Sequence, residues 1–238
     1  MIQVTYIFHS GFCVETEDSY YIFDYYKGEL PALDSQKPVY VFASHFHQDH
    51  YNPEVFELLE RQGFRPGDIR AVLSADIHKK QYPKGIEVLR VSGNKNYSLP
   101  DGTVVETLHS TDSGVAYLLT CKDGVIYHAG DLNDWRWEEE SKEYNHNMTA
   151  NYRREIDRIA GRKADVAFLP LDVRQEKDYA QGMLYFLEKV HTGCAYPMHY
   201  WEHPEVIRQF VREYPQYRGI VRDTEKARRE LCTAGETE

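Results

Sequence analysis

Val39-Tyr40-Val41-Phe42-Ala43-Ser44-His45-Phe46-His47-Gln48-Asp49-His50 decides the fold of this chain. Its first five residues are apolar, β-branched or aromatic, the composition of a buried strand. The last six hold His45, His47, Asp49 and His50. A strand sends successive side chains to opposite faces, so these four converge only if the strand ends and a loop turns. Imidazole and carboxylate are the ligands that zinc-like divalent ions prefer. Directly afterwards, Asn52 is an N-cap, Pro53 fits the first helical position, and Glu54 suits the first turn. Val55, Leu58 and Leu59 make the apolar stripe of that helix, and Gly63 ends it.

Toward the N-terminus, residues 2–9 and 12–17 read as strands joined by a turn at Ser10-Gly11. Tyr20 to Asp24 reads as a third, and Lys27 to Lys37 as a loop. Toward the C-terminus, short apolar runs predict strands at Ile69–Leu73, Ile86–Val91, Thr103–Leu108, Gly114–Thr120 and Gly124–Tyr127, with a hairpin turn at Lys122-Asp123-Gly124. The polar stretch near 132–147, carrying Trp135 and Trp137, predicts a lid or insertion. Helical spacing follows in Met148, Tyr152, Ile156 and Ile159. The chain then alternates: strand Ala164–Leu169, helix through Tyr179, Met183, Leu187 and Val190, strand Cys194–Met198, helix after Pro204. Gly219–Val221 reads as a last short strand and Thr233–Glu238 as a frayed tail. With no repeat and no linker, the expectation is one domain over 1–238, α/β and layered.

The chain has 238 residues, 42% of them hydrophobic, enough for a sizeable core. Its net charge of -10 argues against a nucleic-acid partner, which needs a basic face. Cys13, Cys121, Cys194 and Cys232 are widely separated, with no C-x-x-C pair, which predicts a reduced, cytoplasmic protein. The first residues lack the pattern of a signal peptide, and no run reaches membrane-spanning length, so no membrane insertion is expected.

Three later residues share the placement of His45. His109 ends the Thr103–Leu108 strand, Asp131 follows Gly124–Tyr127, and His199 follows Cys194–Met198. Strand ends are where α/β enzymes place chemistry. The order H-x-H-x-D-H, His109, Ala129-Gly130-Asp131 and His199 resembles the metallo-β-lactamase superfamily over almost the whole chain. Phe8-His9-Ser10-Gly11 followed by Ile22-Phe23-Asp24 is similar to its branch of ascorbate-6-phosphate lactonases and N-acyl-phosphatidylethanolamine phospholipase D, with Phe8 where that branch has glycine.

The resemblance implies an αββα sandwich: two mixed sheets face to face, helices outside, and a dinuclear metal site at one edge. It implies that His45, His47 and His109 hold one ion, that Asp49, His50 and His199 hold the other, and that Asp131 bridges them. Two divalent ions, zinc first with manganese or iron as alternatives, would activate a bridging hydroxide to cleave an ester, lactone or phosphodiester of a small molecule. Asp49 would also take the proton of the water. Asp24 is a candidate partner for a ligating histidine. His9, Trp135, Trp137, Arg174, Tyr200 and Trp201 are candidate substrate contacts. For Arg174 the alternative is an ion pair with Asp172 or Glu176, and for Tyr200 and Trp201 it is core packing. The rival functions are a mononuclear-iron oxidoreductase of the persulfide dioxygenase kind and a non-catalytic metal-binding protein. A homo-oligomer is left open.

Overall fold

A computed structural model of the chain describes residues 1–225 and 230–232. Among the described residues the strands are β1 (Ile2–Phe8), β2 (Gly11–Glu15), β3 (Tyr20–Phe23), β4 (Val39–Ala43), β5 (Ile69–Ser74), β6 (Glu87–Val91), β7 (Asn96–Ser98), β8 (Val104–His109), β9 (Val115–Cys121), β10 (Gly124–His128), β11 (Lys163–Pro170), β12 (His191–Met198) and β13 (Glu230–Cys232). Helices are α1 (Glu54–Arg61), α2 (Lys142–Asp157), α3 (Gln181–Lys189) and α4 (Glu205–Glu213).

The strands form two mixed sheets, one in the order β13-β1-β2-β3-β4-β5-β6 and the other in the order β12-β11-β10-β9-β8-β7. Strand β4 shows why they stack. Val39, Val41 and Ala43 pack on one side with Val55, Phe56 and Leu59 of α1. Tyr40 and Phe42 point the other way, into the core shared with the second sheet. A strand covered on both faces must be apolar throughout, as this one is. Between the sheets, Phe12 stacks on Phe168 at 4.1 Å and Phe42 meets Tyr117 edge-on at 5.1 Å. Tyr152 and Ile156 of α2, Phe186 of α3 and Phe210 of α4 join that core from outside the second sheet. The result is the αββα sandwich that the resemblance implied.

Strands β3 to β6 are parallel neighbours, as are β10 to β12, so their C-terminal ends gather at one edge. Asp24, His45, Asp131, Asp172 and His199 all lie just past such ends.

The structure departs from the sequence expectations in four places. Helix α2 begins at Lys142, inside the stretch expected to be a lid, because Ser141 Oγ accepts the Tyr144 N–H at 3.0 Å and caps it. Gly219–Val221 contributes a single bridge, Val221 to Ala195, rather than a strand. The terminal pairing is made by β13 on β1 instead. Finally, a reduced chain was expected, but Cys194 and Cys232 form a disulfide across 38 residues. Cys194 lies on an edge strand of one sheet and Cys232 on an edge strand of the other, a neighbourhood created only by stacking the sheets. The tail Thr233–Glu238 lies outside the described residues. Among the described residues no helix is long and apolar enough to cross a membrane.

Candidate metal centre

The loop after β4 is held from both sides. Asp24, itself at φ 41°, accepts the Ser44 N–H at 2.7 Å and the Ser44 hydroxyl at 2.6 Å. Gly114 passes so close that a Cβ there would sit 1.9 Å from the Ser44 carbonyl oxygen, and its φ of +69° also needs glycine. Gly130 at φ +51° packs on Ser44 in the same way and brings Asp131 alongside. With Ser44 fixed, His45 and His50 project inward and are fully buried.

Two groups of ligand atoms result. In the first, His45, His47, Asp112 and Asp131 each offer one atom, all within 4.8 Å of one another. The second is His9, Asp49, His50 and His199, by the same measure. Asp131 faces both: Oδ2 lies 3.5 Å from His45 Nε2, while Oδ1 lies 3.2 Å from His50 Nε2 and 3.5 Å from His199 Nε2. Both ring nitrogens of His9, His50 Nε2 and Asp131 Oδ1 are buried without a hydrogen-bond partner. Buried polar atoms are ordinarily satisfied, so unpartnered His9, His50 Nε2 and Asp131 Oδ1 within one cluster fit bound cations.

The far nitrogens are anchored. His50 Nδ1 sits 2.7 Å from Asp24 Oδ2, and His199 Nδ1 sits 2.9 Å from Asp172 Oδ2. Each carboxylate fixes a ring and leaves Nε2 for a ligand.

Electrostatics agree with the donor chemistry. Burial, with His50 nearby, lowers His45 to a pKa of about 4, and burial also lowers His9. Both imidazoles are therefore neutral and able to ligate at neutral pH. Burial lowers His50 too, but the charges of Asp131, Asp24 and Asp49 outweigh it and raise the pKa to about 9. That excess of negative charge suits a cation. Burial would raise Asp49 and Asp131, yet the facing histidines pull both below the usual carboxylate range, so they are ionised. Backbone strain gathers here as well: His9, Asp24, His199 and Trp201 all have positive φ.

A cavity of about 140 Å³ opens beside the centre, lined by Asp112, Asp131, Trp135, Trp137, Arg174 and His199 among others. Trp135 is buried, donates its indole N–H to the Asp131 carbonyl at 2.8 Å, and lies parallel to Trp137 at 5.9 Å. The segment expected to be a lid is therefore pinned to the centre at this point. Arg174 donates Nε and Nη2 to Asp172 and stacks its guanidinium between Trp137 and Trp201, 5.9 and 5.1 Å from their rings. The ion pair that the sequence offered as the alternative is present, and Nη1 carries no protein bond among the described residues.

Two expected site residues fall elsewhere. His109 is not in either group. Although it shares its β8 face with buried Val105 and Thr107, His109 ends the strand and is exposed, and its Nδ1 donates to the Ser110 carbonyl at 2.9 Å. Tyr200 is buried beside Tyr6, because the turns at His199 and Trp201 swing it into the core. The sequence did not point to Asp112 or Asp172, and it offered His9 as a substrate contact or a supporting residue rather than as a ligand. Asp112 sits three residues after His109 in the same strand-end loop, and Asp172 follows β11 as Asp131 follows β10, so shared placement was the available signal.

Comparison with known proteins bears on the fold and the family. No curated protein matches the chain. Among solved structures, a metallo hydrolase from Ignicoccus hospitalis, Igni18, is similar at TM-score 0.60 and 18% identity, over 93% of this chain and 94% of that one. CmlA, a diiron β-hydroxylase from Streptomyces venezuelae, is similar at TM-score 0.59 and 13% identity, over 92% of this chain and 52% of that one. Zinc-bound PqqB from Methylobacterium extorquens is similar at TM-score 0.52 and 14% identity, over 89% and 83%. Residues 3–199 match the family described as the beta-lactamase superfamily domain, and with the strand-end ligand groups in place the chain belongs to the metallo-β-lactamase superfamily.

Proposed function

We propose that this chain is a metal-dependent hydrolase with a dinuclear centre, acting on an ester, lactone or phosphodiester of a small molecule. The observation that carries the reading is Asp131, whose two oxygens face two separate groups of ligand atoms. His45, His47 and Asp112 would hold one ion, and Asp49, His50, His199 and His9 the other, with Asp131 between them. Asp112 takes the part that the family resemblance gave to His109. When bound, the ions supply an activated water and Lewis-acid polarisation of the carbonyl or phosphoryl oxygen.

The remaining chemistry belongs to the chain. Asp49, ionised and one-quarter exposed, accepts a hydrogen bond from the attacking water and orients it. Arg174, held rigid by Asp172, offers Nη1 to the negative charge that develops on the substrate. Trp135 and Trp137 form an apolar wall for the substrate body and keep bulk water from the reacting groups. The His9-Ser10-Gly11 turn supports the lactonase and phosphodiesterase branch as the substrate proposal.

A second reading is redox chemistry at iron. Asp49, Asp112 and Asp131 bring three carboxylates to the centre, and oxygen-rich sites favour harder ions than zinc. The test is hydrolysis of lactones, carboxylic esters and bis(p-nitrophenyl) phosphate by zinc-, manganese- and iron-loaded protein. Chelator-sensitive turnover of any of these supports the hydrolase. Dioxygen consumption by the iron form, with none of them hydrolysed, supports the second reading.

A further inference from the structure

His109, left out of the metal centre, lies in a second cleft of about 540 Å³, a size typical of small-molecule sites. The cleft shares Thr111 and Asp112 with the cavity over the centre, so the 110–112 loop is the wall between them. One side is the end of β8 with the Asn94 turn, and the other is the face of α2 carrying Asn151, Arg154 and Arg158. The two sides are tied by buried Glu155, which accepts the His109 backbone N–H at 3.1 Å. Gly93 lets the chain pass under the imidazole, since a Cβ there would come within 3.2 Å of His109 Cδ2.

The donors of this cleft are unspent. Arg154 has no carboxylate partner, and the Asn94 and Asn151 amides have no hydrogen-bond partner, among the described residues. Arg158 has one long contact, 3.5 Å to Glu155. In a chain of net charge -10, two guanidiniums with spare donors beside the reaction centre are unusual.

We infer that this cleft is an anion subsite, in which Arg154 and Arg158, with the side-chain amides of Asn94 and Asn151, hold a phosphoryl or carboxylate group of the substrate, remote from the bond that is cleaved. Guanidinium forks match both anions, and amides at either side fix their orientation. The inference rests on the hydrolase reading for its meaning, since it makes the substrate a small molecule with a charged tail reaching over Asp112.

The test is calorimetric titration of the zinc-loaded protein with inorganic phosphate, comparing wild type, Arg154→Gln, the double variant Arg154→Gln/Arg158→Gln, and an Arg208→Gln/Arg212→Gln control on α4. All four should keep the same zinc content. The expected result is saturable binding weakened about tenfold or more in the double variant, partly in the single variant, and unchanged in the control. Equal binding in wild type and double variant would overturn the subsite, because phosphate would then be reading the metal ions alone. Arginine-dependent binding without hydrolysis of any ester would leave the subsite standing and remove the hydrolase reading.

Discussion

Asp24 Oδ2 lies 2.7 Å from His50 Nδ1 in a fully buried pair, and the same carboxylate holds the backbone of Ser44. One side chain thus orients a ligand ring and the loop that carries it. Asp24→Asn keeps an acceptor for Ser44 but removes the charge that sets the ring. Metal affinity is expected to fall about 10–100-fold, measured by competition with a chromophoric chelator. Unchanged affinity would mean that Asp24 serves the turn alone.

Asp112 and His109 make opposite claims on the first ion. His47 Nδ1 stands 3.9 Å from Asp112 Oδ2, whereas His109 belongs to neither ligand group. Asp112→Ala is expected to lose about one ion per chain, and His109→Ala to keep both, by elemental analysis. The reverse pattern would restore the ligand set that the resemblance implied.

The metal-free protein has a definite pH profile. His45 is held at about 4 against 6.5, so the unfolded chain takes up a proton first and stability falls from pH 6.5 to 4. Burial alone would raise Asp24, but His128, His50 and His45 lower it to about 2 from 3.8, and its contribution is lost as pH falls through that range. His50, raised to about 9, contributes below pH 6.5 and loses that contribution as pH rises to 9. Urea midpoints in chelator should therefore peak near pH 6.5 and decline on both sides. A midpoint flat from pH 4 to 9 would contradict these assignments.

Phe168 is fully buried between the sheets, stacked on Phe12 at 4.1 Å. Phe168→Ala should cost about 3–5 kcal/mol by denaturant unfolding. Loaded protein that remains folded should still bind metal, since every ligand lies on strand-end loops. A cost under about 1 kcal/mol would mean that the interface repacks.

Much of this was legible in the sequence, because strand periodicity and the H-x-H-x-D-H spacing are local signals. The αββα layering followed from the family resemblance, and Asp24, His45, His47, Asp49, His50, Asp131 and His199 all gather at one edge. What escaped depended on which way a single residue faces. His109 ends β8 and Asp112 follows it in the next loop, and spacing along the chain does not decide which of the two joins the ligand group. Tyr200 is swung into the core by positive φ on both sides, which no composition rule signals at His199 or Trp201. The Cys194–Cys232 bond joins edge strands of different sheets, so spacing along the chain could not indicate it.

The central claim is a two-metal centre bridged by Asp131. Its most direct test is elemental analysis of the protein purified without added metal or chelator, alongside Asp131→Ala. The account predicts about two divalent ions per wild-type chain and a marked loss in the variant with the fold retained. One ion per chain in both proteins, or none after reconstitution, would contradict it.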